Sequence, residues 1–211
     1  MEYKTYLSEA VSETEIKRSR FIAYLNHVES AAEAEAILEK LKKEHWKANH
    51  VCYGYVLGIN GETMKFSDAG EPSGTAGKPI LSSLTANGLT FVLGSVVRYF
   101  GGIKLGAGGL TRAYASVMGS CLEQCVFSRM VYCPLVTVKA AYSEYGRIDA
   151  LINRYSLKRA EMDFADEITI SAYLPEESIK PFLDALSEAT GGNYSFEQNE
   201  GTFIEDTRQN V

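Results

Sequence analysis

No apolar run in this 211-residue chain approaches the ~20 residues that a bilayer-spanning helix needs. The opening Met-Glu-Tyr-Lys-Thr-Tyr lacks the basic-then-apolar order of a signal peptide. Membrane insertion and secretion are not expected, and a cytoplasmic protein is. Histidine is scarce, three in all, and the four cysteines, Cys52, Cys121, Cys125 and Cys133, contain no C-x-x-C pair. A zinc cage would be undersupplied, so no metal and no cofactor is expected, and the thiols are read as reduced and packed. There is no G-x-S-x-G elbow, and no cysteine has the flanks of a protease nucleophile, so no catalytic residue is assigned. With 45% hydrophobic and 23% charged residues, the chain has enough apolar surface to offset its chain entropy and fold.

Positive charge is thin and unevenly placed. Residues 1–133 carry 14 Lys+Arg against 13 Asp+Glu, a net of +1, while residues 134–211 carry 7 against 14, a net of −7. Such a break predicts two modules with different tasks. The boundary is expected near 131–134, giving a first domain over 1–131, an acidic second domain over 134–205 and a frayed polar tail over 206–211.

Aromatic and β-branched runs predict strands at 3–7, 20–25, 51–57 and 90–100. Ser30 is the expected N-cap of a helix whose apolar face is Ala34, Ile37, Leu38 and Leu41. Residues 60–79 read as loop and 80–87 as a short helix. Leu110, Ala113, Tyr114, Val117, Met118, Cys121, Leu122 and Cys125 step along one face of the strongest helix. Beyond Pro134, strands at 135–141, 157–164, 167–174 and 194–204 alternate with helices at 145–155 and from Pro175 onward. That β-α-β-β-α-β order is the ferredoxin-like, split-βαβ arrangement, and the fold class is α+β.

Two glycine-rich loops are the candidates for chemistry. The first, Phe66-Ser-Asp-Ala-Gly-Glu-Pro-Ser-Gly-Thr-Ala-Gly-Lys-Pro79, places prolines where a Walker A motif needs glycine and a hydroxyl. It leaves a polar cleft loop of Ser67, Asp68, Glu71, Ser73, Gly74, Thr75 and Gly77. Asp68 and Glu71 could form an acid/base pair or half a metal site, or could simply cap turns. In the second loop, Gly106, Gly108 and Gly109 open onto the strong helix, whose unpaired amides could form an anion site, or the glycines could simply permit a tight turn and close helix–strand packing. Lys78, Arg98, Lys104 and Arg112 are the cations expected around it, and Tyr99 is a candidate stacking residue.

Residues 66–81 together with Arg98-Tyr-Phe-Gly-Gly-Ile-Lys-Leu-Gly-Ala-Gly-Gly-Leu110 closely resemble the signature of the IMPACT family, with its bacterial YigZ/YvyE-like branch. The segments 17–22 and 48–53 are similar to that family's flanks, so the resemblance spans roughly 10–125. It implies a first domain like the second domain of the small-subunit ribosomal protein numbered five, a β-β-β-α-β-α sandwich. It also implies a second domain like the late domains of elongation factor G. Eukaryotic relatives regulate translation by restraining a stress-response kinase through an additional N-terminal domain that is not expected in this chain, so that partner is not carried over. A proline-dipeptidase label in some members lacks its metal-ligand set in this chain.

The expected function is a non-enzymatic, translation-linked regulator that binds nucleic acid, through RNA, the ribosome or a translation-related protein, at a basic cleft. The alternative is an enzyme or sensor for a phosphorylated small molecule, either a metal-assisted hydrolase or a phosphotransferase, with Asp68 or Glu71 on magnesium or acting as base.

Overall fold

The computed structural model describes residues 1–209 and divides the chain into two compact units. One comprises Tyr3–Ser128. The other runs from Arg129 onward and takes in Met1 and Glu2.

The first unit follows a short strand, β1 (Glu2–Thr5), with the hairpin β2 (Glu9–Ile16) and β3 (Ser19–His27), then α1 (Ala31–Glu44), β4 (His50–Leu57), β5 (Thr63–Ser67), α2 (Gly77–Ala86), β6 (Val92–Tyr99) and α3 (Ala107–Leu122). Five strands form one antiparallel sheet in the order β2-β3-β6-β4-β5. Side chains alternate between its faces, and both faces of the central strands are covered. Phe21, Ala23, Leu25, Cys52, Val56, Val92 and Val96 pack under α2 and α3. Ile22, Val51, Tyr55, Leu57, Leu93 and Val97 pack under α1, through Ala34, Leu38 and Leu41. This double burial explains the nearly unbroken apolar runs of β3 and β6. α1 separates β3 from β4, so the element order differs from the β-β-β-α-β-α that the resemblance implied.

Local chemistry sets the ends. Ser30 accepts from the Glu33 amide and caps α1, and His45 closes it. α2 starts at Gly77 rather than residue 80, because Pro79 falls in its first turn, where no amide needs a helical partner. The expected 60–79 loop also contains β5, a short edge strand whose alternating Met64 and Phe66 both stay exposed and which sits among glycines that read as loop. β2 likewise lies in a stretch with no strand expected.

In the second unit, β7 (Ser128–Ala140), α4 (Tyr145–Tyr155), β8 (Lys158–Phe164), β9 (Ile168–Tyr173), α5 (Glu176–Thr190) and β10 (Ser195–Glu205) follow the split-βαβ order. The strands run β10-β7-β9-β8, all antiparallel, and Met1 and Glu2 lead β1 onto the same sheet. Val136, Val138, Ile168 and Ile170 share one face with Ile148 and Ile152 of α4 and Phe182 and Leu186 of α5, so both helices cover that face.

The expected boundary at 131–134 lies inside β7. Pro134 reads as a break, but β10 bulges opposite it between Asn199 and Thr202, and Gly201 packs against the Cys133 carbonyl where a Cβ would stand 1.9 Å away. The ladder bond a proline cannot make is thereby avoided. The expected tail also begins too early. Asp206 is buried between Arg129 (3.4 Å) and Arg208 (2.9 Å), and Thr207–Gln209 form a 3-10 turn. The rest of that tail, 210–211, lies outside the described residues. Among the described residues, no helix is long and apolar enough to cross a membrane.

Candidate functional site

A buried polar network in the first unit joins the two glycine loops. Arg98, near the end of β6, is only 4% exposed, and its Nη1 donates to Glu71 Oε1 at 2.6 Å. The Tyr114 hydroxyl, on α3, donates to the same oxygen at 2.8 Å. Arg98 Nη2 reaches Ser19 Oγ at 3.3 Å, while its Nε is buried without a partner. Phe21 lies beneath the guanidinium, 5.3 Å from ring centre to Cζ. Cys52 packs 3.4 Å from the Tyr114 hydroxyl and donates to the Asp68 carbonyl at 3.0 Å. Burial pushes the Cys52 thiol up to about 12 and raises the Tyr114 phenol as well, so both stay protonated near neutrality. Cys52 is therefore not a thiolate nucleophile. His50 makes an Nδ1 bond to the Ala69 carbonyl at 2.9 Å and turns Nε2 toward Glu71 Oε1, 3.9 Å away.

Asp68 organises the first loop. Its Oδ2 accepts from the Gly74 amide and its Oδ1 from Ala76 and Gly77, at 2.8, 2.9 and 2.9 Å. It thus does for α2 what the N-cap residue Ala76 cannot. Burial raises this carboxyl, but the three amide bonds together outweigh it and hold it below the ordinary aspartate range. Three of the roughly four lone-pair sites of Asp68 are thus taken by backbone amides, which is the turn-capping role considered for it. Glu71 is likewise committed on Oε1. Ala69 and Gly70 both take positive φ, 46° and 90°, in the turn that returns the Glu71 amide to the Asp68 carbonyl. That left-handed alanine is strained, and it aims the carbonyl that fixes His50.

The expected phosphate-site residues are distributed around α3. Gly106 (φ 73°) ends the loop, and Ala107, Gly108 and Gly109 form the first turn. Gly109 and Arg112 line a groove of about 330 Å³ together with Ile16, Lys17 and Leu105. Gly74 and Lys78 line a separate groove of about 530 Å³ between α2 and α3, with Thr111 and Ala115. The two loops thus meet α3 on different flanks instead of closing one cleft. Lys104, Gly106, Gly108 and Ser73 are exposed, while Ser67 is half-buried, Thr75 is buried with its hydroxyl on the Pro72 carbonyl, and Gly77 is packed on the Ser67 backbone. Arg98 is not part of the open surface, because its charge is neutralised inside. Tyr99 is also held: His45 lies 2.8 Å from its hydroxyl and Arg20 stacks over its ring.

Sequence reasoning passed over Lys17 and Arg18. They form the two-residue tip of the β2–β3 hairpin with φ of 47° and 63°, a conformation that favours Asn-Gly. Gly101 packs so closely on this tip that a Cβ there would lie 1.8 Å from the Arg18 carbonyl oxygen. The second glycine loop therefore rests on the hairpin, with Lys104 in that loop and Arg112 across the groove from Lys17. Two adjacent charged residues with positive φ are invisible to spacing rules. Among the described residues, no group of three or more His, Cys, Asp or Glu is placed to hold a metal ion.

Comparison with known proteins agrees with these loops. The Impact N-terminal domain matches residues 17–122, and a Domain of unknown function (DUF1949) matches 138–193. The chain belongs to the IMPACT family. It is 34% identical to IMPACT family member YvyE of Bacillus subtilis over 96% of this chain and 94% of that one. It is 35% identical to YigZ of Escherichia coli over 85% and 89%. A crystal structure of a hypothetical protein aligns at a TM-score of 0.62 and 32% identity, over 92% of this chain and 96% of its own.

Proposed function

We propose that this protein is a cytoplasmic, non-enzymatic regulator linked to translation, which binds RNA on or near the ribosome through the basic rim at the entrance of α3. The observation that carries the reading is the state of four cations. Lys17, Arg18, Lys104 and Arg112 are exposed, have no carboxylate within ion-pair distance among the described residues, and stand on the hairpin tip, the second glycine loop and the first turns of α3, whereas the Arg98 of the same motif is paired inside. Unpaired cations around helix-entrance amides suit a phosphate backbone, which is read by charge rather than by sequence. The proposal includes the likeness of the first unit, with α1 as the departure from the expected element order, to the second domain of the small-subunit ribosomal protein numbered five, and of the second unit to the late domains of elongation factor G.

A second reading, a phosphorylated small-molecule sensor, is favoured by the groove of about 530 Å³ with Lys78 on its wall, which is within the size range of ligand sites. Fluorescence anisotropy with a single-stranded RNA oligonucleotide at low ionic strength, beside a thermal-shift screen of nucleotides and sugar phosphates, separates the two. Salt-sensitive RNA binding supports the first. A stabilising phosphorylated ligand without RNA binding replaces it with the second.

A further inference from the structure

The second unit carries an apolar patch that its own core does not use. Phe164, at the end of β8, is 53% exposed, with Tyr142 at 49%, Tyr145 at 36% and Met162 at 38%. The three rings are gathered on one another: Tyr142 stacks on Phe164 at 6.3 Å and 20°, and Tyr145 meets it edge-on at 5.7 Å. The Tyr142 hydroxyl ties the cluster to the β8–β9 turn by donating to the Ala165 carbonyl. Large apolar side chains scattered singly over a surface need no account, but a clustered and mutually oriented set does.

Two further features define what would cover it. β8 is an edge of its sheet, with β9 on one side and no strand on the other among the described residues. Its guarding cations, Lys158 and Arg159, lie before the bulge between Arg159 and Met162, and Arg159 is bound to Asp149 at 2.6 Å. From residue 160 to 171 the chain has four carboxylates, Glu161, Asp163, Asp166 and Glu167, and no lysine or arginine. The half of β8 next to the rings is thus an edge without the usual positive or proline protection. It is also regular: Met162, Asp163 and Phe164 pair with Ile170, Thr169 and Ile168, so Met162 and Phe164 share the face with the rings while Asp163 points to the other.

We propose that β8 is a docking edge for an extended basic segment of another protein, which adds as a strand and alternates apolar and basic residues. Its apolar side chains would cover Met162 and Phe164 beside Tyr142 and Tyr145, and its basic ones would reach Asp163 and the neighbouring carboxylates. Backbone pairing supplies affinity and the alternation supplies specificity. Exposed rings also stack on nucleic-acid bases, but four carboxylates beside them, none with a cation partner among the described residues although Asp163 Oδ1 accepts from the Phe164 amide at 2.9 Å, repel phosphate, which favours the peptide.

The test uses the full chain and a fluorescent (Val-Arg)4 peptide, with (Val-Glu)4 and a backbone-N-methylated (Val-Arg)4 as controls. Saturable binding of the basic peptide that moves amide resonances of 160–168 is expected. The acidic and N-methylated peptides are expected to bind at least tenfold more weakly, and the methylated arm leaves the protein untouched. Tyr145→Ser with Phe164→Ser, at exposed positions and checked for an unchanged melting curve, should lower affinity at least tenfold. Asp163→Lys should lower it too. No saturable binding, equal binding of (Val-Glu)4 or of the methylated peptide, indifference to these variants, or displacement at 160–168 by an RNA oligonucleotide would each overturn the proposal.

Discussion

Arg98 donates to Glu71 across 2.6 Å with side chains only 5% and 3% exposed, so an arginine embedded in a glycine-rich, anion-site-like motif is neutralised inside the protein. Removing one partner of such a pair strands a buried charge, at a cost of about 3–5 kcal/mol. Arg98→Ala should destabilise the first unit by that order in urea unfolding. Arg98→Met combined with Glu71→Leu should recover much of the loss, because neither charge remains. If Arg98→Ala proves neutral, the pair does not hold the loops together.

Asp68 should leave a signature in acid. Its folded pKa is depressed, so its contribution is fully present above the ordinary aspartate value near 3.8 and is lost as pH falls below that through the folded value. Asp68→Asn replaces one of the two accepting oxygens by an amide nitrogen and should therefore destabilise the protein at neutral pH by about 1 kcal/mol, the scale of one lost hydrogen bond. The difference from wild type should shrink toward low pH. A constant gap across pH 2–7 would contradict the cap.

The thiols should differ in reactivity. Burial pushes Cys52 to about 12 and Cys121 and Cys133 to about 11, while Cys125, three residues past the end of α3, is half-buried and raised by burial as well, without a comparable shift. Iodoacetamide at pH 8 should label Cys125 first and the other three only on unfolding, as mass spectrometry would show. Rapid labelling of Cys52 in the native protein would place it on an accessible surface.

The folding pattern was legible wherever burial was one-sided or periodic. α4 falls at the expected 145–155, and the buried face of α3 is the one its periodicity traces through Leu122. The losses have physical causes. β5 is a five-residue edge set among glycines, and its alternating Met64 and Phe66 bury nothing, while Cys133-Pro134 resembles a boundary because the bulge that accommodates it lies nearly seventy residues away. At the candidate site, glycine spacing located both loops but could not say which cations stay outside. Arg98 is withdrawn by Glu71, which lies in the other loop, and Lys17 and Arg18 gain their position from a strained hairpin tip and the close approach of Gly101.

That tip offers a separation of stability from binding. Replacing Lys17-Arg18 with Asn-Gly removes two strained φ angles and should stabilise the hairpin by about 1 kcal/mol or more. The same change should weaken RNA binding. A variant that is more stable and binds RNA as well as wild type would show the charges to be ornamental.

The salt dependence of RNA affinity tests the account most directly. The logarithm of the binding constant, followed against the logarithm of salt concentration, should fall linearly for wild type. Lys17→Ala with Arg112→Ala should make the slope shallower by about 1.4, since each phosphate contact to a single strand contributes about 0.7. Affinity should fall to a similar extent for different RNA sequences. An unchanged slope in the double variant, or no salt-dependent RNA binding by the wild-type protein, would contradict the assignment of the α3 entrance.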